Sequence, residues 1–112
     1  MDLATMTHSS DREKGEDARF AVEADTAFRI AARRNRLLAH WASEQMGLTP
    51  EETEAYSKAV IQSEFEEAGE KDAILKVLGD LTAAGCDLDE AAVRAVFDEK
   101  EVEARRHFMS ES

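Results

Sequence analysis

Apolar positions recur along this chain at intervals of three and four, and they divide it into four helical stretches. Phe20, Ala24, Ala27/Phe28, Ala31, Leu38, Trp41/Ala42 and Gln45 share one face of a helix expected from about Asp17 to Met46. Leu37, Leu38, Trp41 and Met46 are large enough to anchor a core. The alanine-rich part before them is expected to project or fray while the later part docks. Gly47 stands where a helix needs its C′ residue.

Thr49-Pro50-Glu51-Glu52 opens the second helix with an N-cap threonine, proline at the first helical position and glutamate at N3, a capping box. Tyr56, Ala59/Val60 and Ser63 mark its buried stripe, with Ile61 and Phe65 beside it, and Ala68-Gly69 closes it. The third helix, about Lys71 to Ala84, carries Ile74, Val77/Leu78 and Leu81 on one face and ends at Gly85. The fourth starts at Asp87 or Asp89. With Asp89 as N-cap, Leu88 and Val93 can form a hydrophobic staple. It continues through Val93, Val96/Phe97 and Val102 toward His107-Phe108, then frays from Met109. No alternating β-branched segment or hairpin turn competes with this pattern.

Residues 1–17 are polar and bury too little apolar surface to offset their ordering entropy, so the expected organisation is a mobile segment 1–17 before a bundle domain 18–112. The fold class is all-α, a compact four-helix bundle with a mobile N-terminal segment. Its last three helices are too short to be stable alone and depend on shared burial.

Charge changes the picture of partners. Against 14 Lys+Arg the chain has 25 Asp+Glu, a formal net charge of -11. That sign opposes nucleic-acid backbones and anionic membranes and favours basic protein surfaces. After Gly47 there are 17 acids and 7 bases, a local net charge of -10. One cysteine, Cys86, rules out an intrachain disulfide. No secretory h-region or membrane-length apolar run is visible, so the expectation is a cytoplasmic chain without direct membrane insertion.

Candidate chemistry is sparse. His8, His40 and His107 are scattered, and His40 beside Trp41 reads as a half-buried packing residue. Asp87 and Asp89 behind Cys86 raise a thiol pKa and oppose a nucleophile role. Isolated glycines match no phosphate loop. No metal set, cofactor or catalytic residue is expected, and the chain is not read as an enzyme. Glu64-Phe65-Glu66-Glu67 reads as a solvated face, although carboxylates near a helix C-terminus oppose its dipole and hint that something basic meets them. Arg33, Arg34 and Arg36 cluster within one turn, one turn after Arg29. They can pair within the chain with the acidic helices, including the nearby Glu23, Asp25 and Glu44. Alternatively, Arg29, Arg33, Arg36 and Trp41 form an anion or adenine-nucleotide site.

The run from Arg33 to Leu48, Arg-Arg-Asn-Arg-Leu-Leu-Ala-His-Trp-Ala-Ser-Glu-Gln-Met-Gly-Leu, resembles the signature of the zeta inhibitor subunit family of alphaproteobacterial F-type ATP synthases. Phe65-Glu66-Glu67-Ala68-Gly69-Glu70-Lys71-Asp72, following Ala55-Tyr56, and Asp11-Arg12-Glu13 with Phe20-Ala21 downstream agree with it. The resemblance covers about Asp11 to Phe97. It implies a four-helix regulatory subunit whose N-terminal segment binds the catalytic head between catalytic and noncatalytic subunits and blocks rotation during ATP hydrolysis. Asp11, Arg12, Glu13, Arg19 and Phe20 would make the partner contacts. The protein would be a monomer when free, and at the inner face of the plasma membrane when bound.

Where the resemblance expects alanine and a bulky apolar residue after Asp-Arg-Glu, this chain has Lys14-Gly15-Glu16. Glycine costs a helix about 1 kcal/mol relative to alanine, and a lost apolar anchor costs about 1.5–3 kcal/mol of burial. Asp25-Thr26-Ala27 is likewise smaller and more acidic than the family pattern before Phe28. The implied inhibition is therefore weaker than in strong family members. The alternatives are a helical adaptor that keeps the fold with little inhibitory activity, and an adenine-nucleotide-sensing module.

Overall fold

A computed structural model of the chain describes the backbone of residues 3–67 and 70–111 and the side chains of residues 24–65 and 71–109. Four helices follow in order: α1 (Leu3–Met46), α2 (Pro50–Glu67), α3 (Glu70–Ala83) and α4 (Glu90–Glu111). No strand occurs among the described residues. The chain is all-α, and its four helices form one bundle.

The turns are built from local chemistry. Thr49 and Glu52 cap α2 reciprocally: the Glu52 amide donates to Thr49 Oγ1 at 3.1 Å and the Thr49 amide donates to Glu52 Oε1 at 2.9 Å. Asp89, of the two registers open to it, caps α4 by accepting from the Ala92 amide at 2.9 Å. Gly47 and Gly85 adopt φ of 72° and 85°. Beyond them Leu48 donates to the Ser43 carbonyl at 3.0 Å and Cys86 to the Leu81 carbonyl at 2.9 Å. Both are Schellman endings, in which a left-handed glycine lets the next amide reach back to a carbonyl that the helix leaves open.

Packing follows the expected faces with three shifts. Leu38, Ala39 and Ala42 of α1 meet Val60 of α2, Ala73, Ile74, Val77 and Leu81 of α3, and Val93 and Phe97 of α4 in one core. Each large member contributes about 1.5–3 kcal/mol of burial. On α2 the buried positions are Ser57, Val60 and Glu64, one residue on from the expected Tyr56 and Ser63 line. On α4 Ala104 is buried and Val102 is 47% exposed, because the stripe steps by four and three from Phe97 to Ala104. His40, expected half-buried, is exposed.

Alpha1 packs against the other three helices, and α3 lies against both α2 and α4, whose backbones do not approach each other closely among the described residues. The backbone of α1 is helical from Leu3, well before the expected start at Asp17, and α4 is helical to Glu111, through the expected fraying point. At ~1.5 Å per residue a helix of this length spans ~66 Å, which accounts for the longest molecular dimension of 68 Å. Side chains before Ala24 and the expected closing pair Ala68-Gly69 lie outside the described residues. Within the described part, Ala24 to Arg29 are exposed and burial on α1 begins in earnest at Arg34.

Candidate functional site

Between Ala31 and Leu38 the apolar stripe of α1 has a gap, and Arg34 and Asn35 fill it. Both are buried, at 3% and 0% exposure. The Arg34 guanidinium forks to two helices: Nη2 donates to Glu64 of α2, and Nη1 donates to Glu101 Oε1 of α4 at 3.0 Å. Its Nε donates to Asn35 Oδ1 at 3.0 Å, and Asn35 Nδ2 donates to Glu64 Oε1 at 3.0 Å. The guanidinium carbon lies 4.3 Å from the centroid of Phe97. Charge, hydrogen bonds and an aromatic face together satisfy a cation that burial alone would penalise.

Arg105, one turn after Glu101 on α4, donates to its other carboxylate oxygen. Burial pushes the Glu101 carboxyl up, but the hydrogen bonds from Arg34 and Arg105 outweigh it and hold the group below the usual carboxylate range. Glu64 is therefore not the solvated residue expected of its acidic run. The dipole argument pointed to a basic partner, and Arg34 is that partner.

Above this cluster an open groove of about 660 Å³ runs between α1, α2 and α4. Ala24, Ala27 and Ala31 line it, with Phe28 and Phe65 stacked across it at 4.5 Å between ring centroids. Both rings remain about half exposed, at 52% and 43%. A second cleft, about 500 Å³, sits where α1 turns into α2 and is lined by His40, Glu44, Leu48 and Glu54 among others.

The four candidate anion-site residues do not line either cleft. Arg29 pairs with Asp25 at 3.1 Å on the same helix, and Arg36 pairs with Glu54 of α2 at 2.6 Å. Both pairs are exposed, and each contributes under about 1 kcal/mol. Arg33 is half-buried, and its Nε has no hydrogen-bond partner. Trp41 is half-buried and packs against the core. Among the described residues there is no group of three potential metal ligands and no helix long and apolar enough to cross a membrane. Asp11, Arg12, Glu13, Arg19 and Phe20 fall on α1 but before the described side chains.

The model of one protein family, ATPase inhibitor subunit zeta, matches residues 6–107. The chain belongs to the ATPase inhibitor subunit zeta family. A protein solved in solution by NMR is 39% identical, with a TM-score of 0.64 over 76% of this chain and 96% of its own. No curated protein matches. Membership of the zeta family makes this chain a regulatory inhibitor subunit by type. The matched span takes in the early part of α1, with Asp11 to Phe20, as well as the bundle.

Proposed function

We propose that this zeta-family chain restrains ATP hydrolysis by an F-type ATP synthase, with Asp11, Arg12, Glu13, Arg19 and Phe20 contacting the catalytic head. The observation that carries this is the family match, which begins at residue 6 and so covers that segment together with the bundle. The segment binds between catalytic and noncatalytic subunits and blocks the rotation that hydrolysis requires, at the cytoplasmic face of the membrane. Continuity of α1 supports the division of labour, because one helix carries both the contact segment and the half docked into the bundle. The net charge of -11 favours basic surfaces on the head.

Inhibition is weaker than a family member with alanine and a large apolar residue after Asp-Arg-Glu would give. Gly15 lowers helix propensity by about 1 kcal/mol, and Lys14 and Glu16 offer no apolar anchor.

The test is the ATP hydrolysis rate of the purified catalytic head, measured with the full chain and with a variant lacking residues 1–19. The full chain slows hydrolysis and the shortened one does not. If neither changes the rate while both fold, the chain is an adaptor and the proposal fails. Gly15→Ala should increase potency by about fivefold, the factor that ~1 kcal/mol carries.

A further inference from the structure

We propose that the Arg34 cluster sets the direction in which α1 leaves the bundle, so that Arg34, Glu64 and Glu101 are positioning residues for the inhibitory segment. This deepens the function proposed above and rests on it only where inhibition is the readout.

Among the described residues of α1, Arg34 is the first fully buried one, the point at which the helix passes from exposure into the core. It is also a tie between two helices whose backbones do not approach each other closely among the described residues, α2 through Glu64 and α4 through Glu101. Apolar contacts are non-directional. A guanidinium forked between two carboxylates is directional, since each N–H must point at its own oxygen. The cluster therefore supplies what the leucine and valine core below it does not, a preferred angle for α1 between its neighbours. Buried ion pairs contribute little net stability compared with well-packed apolar replacements, and their best-attested use is to specify one arrangement over others.

Leverage makes that angle matter. Alpha1 is one helix from Leu3 to Met46. Leu3 lies about 46 Å along the axis from Arg34, so a tilt of about 10° there displaces the helix start by about 8 Å. The same tilt moves the Asp11–Phe20 segment by about 4–6 Å, enough to take it out of register with a partner surface that the bundle also touches. Phe28 on Phe65 is a second fastening further out, but stacked rings can slide and turn at little cost.

The test places spin labels at Ala24→Cys and Ala95→Cys, both exposed, in a Cys86→Ser chain, and measures their distance distribution. A triple variant, Arg34→Met with Glu64→Leu and Glu101→Leu, replaces the cluster by apolar side chains and keeps the core filled. The distribution broadens although the melting temperature is kept or raised, and inhibitory potency toward the catalytic head falls about tenfold. A folded triple variant with the parent's distance distribution overturns the proposal, as does a broadened one with the parent's potency. Should the triple variant not fold, Glu101→Leu, which removes the acceptor on α4, decides the matter: broadening supports the proposal and an unchanged width overturns it. If the parent chain does not inhibit at all, the proposed function fails, while the distance distributions still decide what the cluster does.

Discussion

The two ends of this bundle are closed by different means. At one end α1 finishes, α2 begins, α3 finishes and α4 begins. There Gly47, the Thr49–Glu52 box, Gly85 and Asp89 make contacts with residues at most five positions away. At the other end α1 emerges between the last turn of α2 and the middle of α4, and closure depends on Arg34 reaching Glu64 and Glu101, 30 and 67 residues distant. The first end forms from instructions carried in each turn. The second exists only once three helices have come together, so its contacts report tertiary structure and not propensity. A region through which the proposed contact segment leaves the core is suited to the second kind of closure, because its geometry can be set without stiffening the segment itself.

The largest expected effect comes from breaking the distant end. Arg34→Ala leaves Glu64 buried without its cation, which costs about 3–5 kcal/mol. Urea denaturation should show this as a lower midpoint at an unchanged slope. A cost below that of losing a surface pair would mean that water already serves the carboxylates, and the contrast between the ends would collapse.

Breaking the local end costs less per site. Gly47→Ala introduces a side chain at φ 72° with open space around the new Cβ, so its penalty is backbone strain alone, about 1–2 kcal/mol. Thr49→Ala removes the acceptor for the Glu52 amide and should cost about 1 kcal/mol, within 0.5–2. Thermal melts of the two variants rank them. Equal losses would show that the Schellman ending tolerates alanine by relaxing, and that the local end is softer than its hydrogen bonds suggest.

This division also explains what was legible in the sequence. Much of what a few consecutive residues specify is legible there: the Gly47 and Gly85 endings, the capping box, the Asp89 cap as one of two registers, and the faces built on Leu38, Ile74, Val77, Leu81 and Val93, whereas the start of α1 and the end of α4 are not. On α2 hydrophobicity draws the line through Val60, which is in the core, and Tyr56, which packs against it, and misses Ser57 and Glu64, which do not advertise burial. The Tyr56 hydroxyl donates to Asp80 of α3 at 2.8 Å. The Arg34 cluster was visible only as two loose ends, a gap in the α1 stripe at positions 34 and 35 and a carboxylate run set against its helix dipole. Joining them requires knowing that α1 lies between α2 and α4, which periodicity does not state. The arginine candidates Arg29 and Arg36 were chosen by clustering in sequence, whereas the residue that the fold buries is the neighbour on the stripe that faces the core.

The smallest expected effect is also the sharpest probe of the distant end. Glu101 has its carboxyl held below the usual range by Arg34 and Arg105 against the opposing effect of burial. A carboxylate whose folded pKa is depressed contributes stability that is fully present above its unfolded value of about 4.3. That contribution is lost as pH falls through the lower, folded value. Glu101→Gln keeps an oxygen that can accept from Arg34 but no longer titrates. At neutral pH its stability should lie closer to the parent's than that of either local-end variant. Between about pH 5 and pH 3 its stability should fall less steeply than the parent's, since the unfolded parent takes up a proton at this position that the folded parent resists. Thr49→Ala, whose lost contact involves a neutral hydroxyl, should run parallel to the parent over the same interval. Parallel curves for Glu101→Gln would mean that solvent screens Glu101 from both arginines.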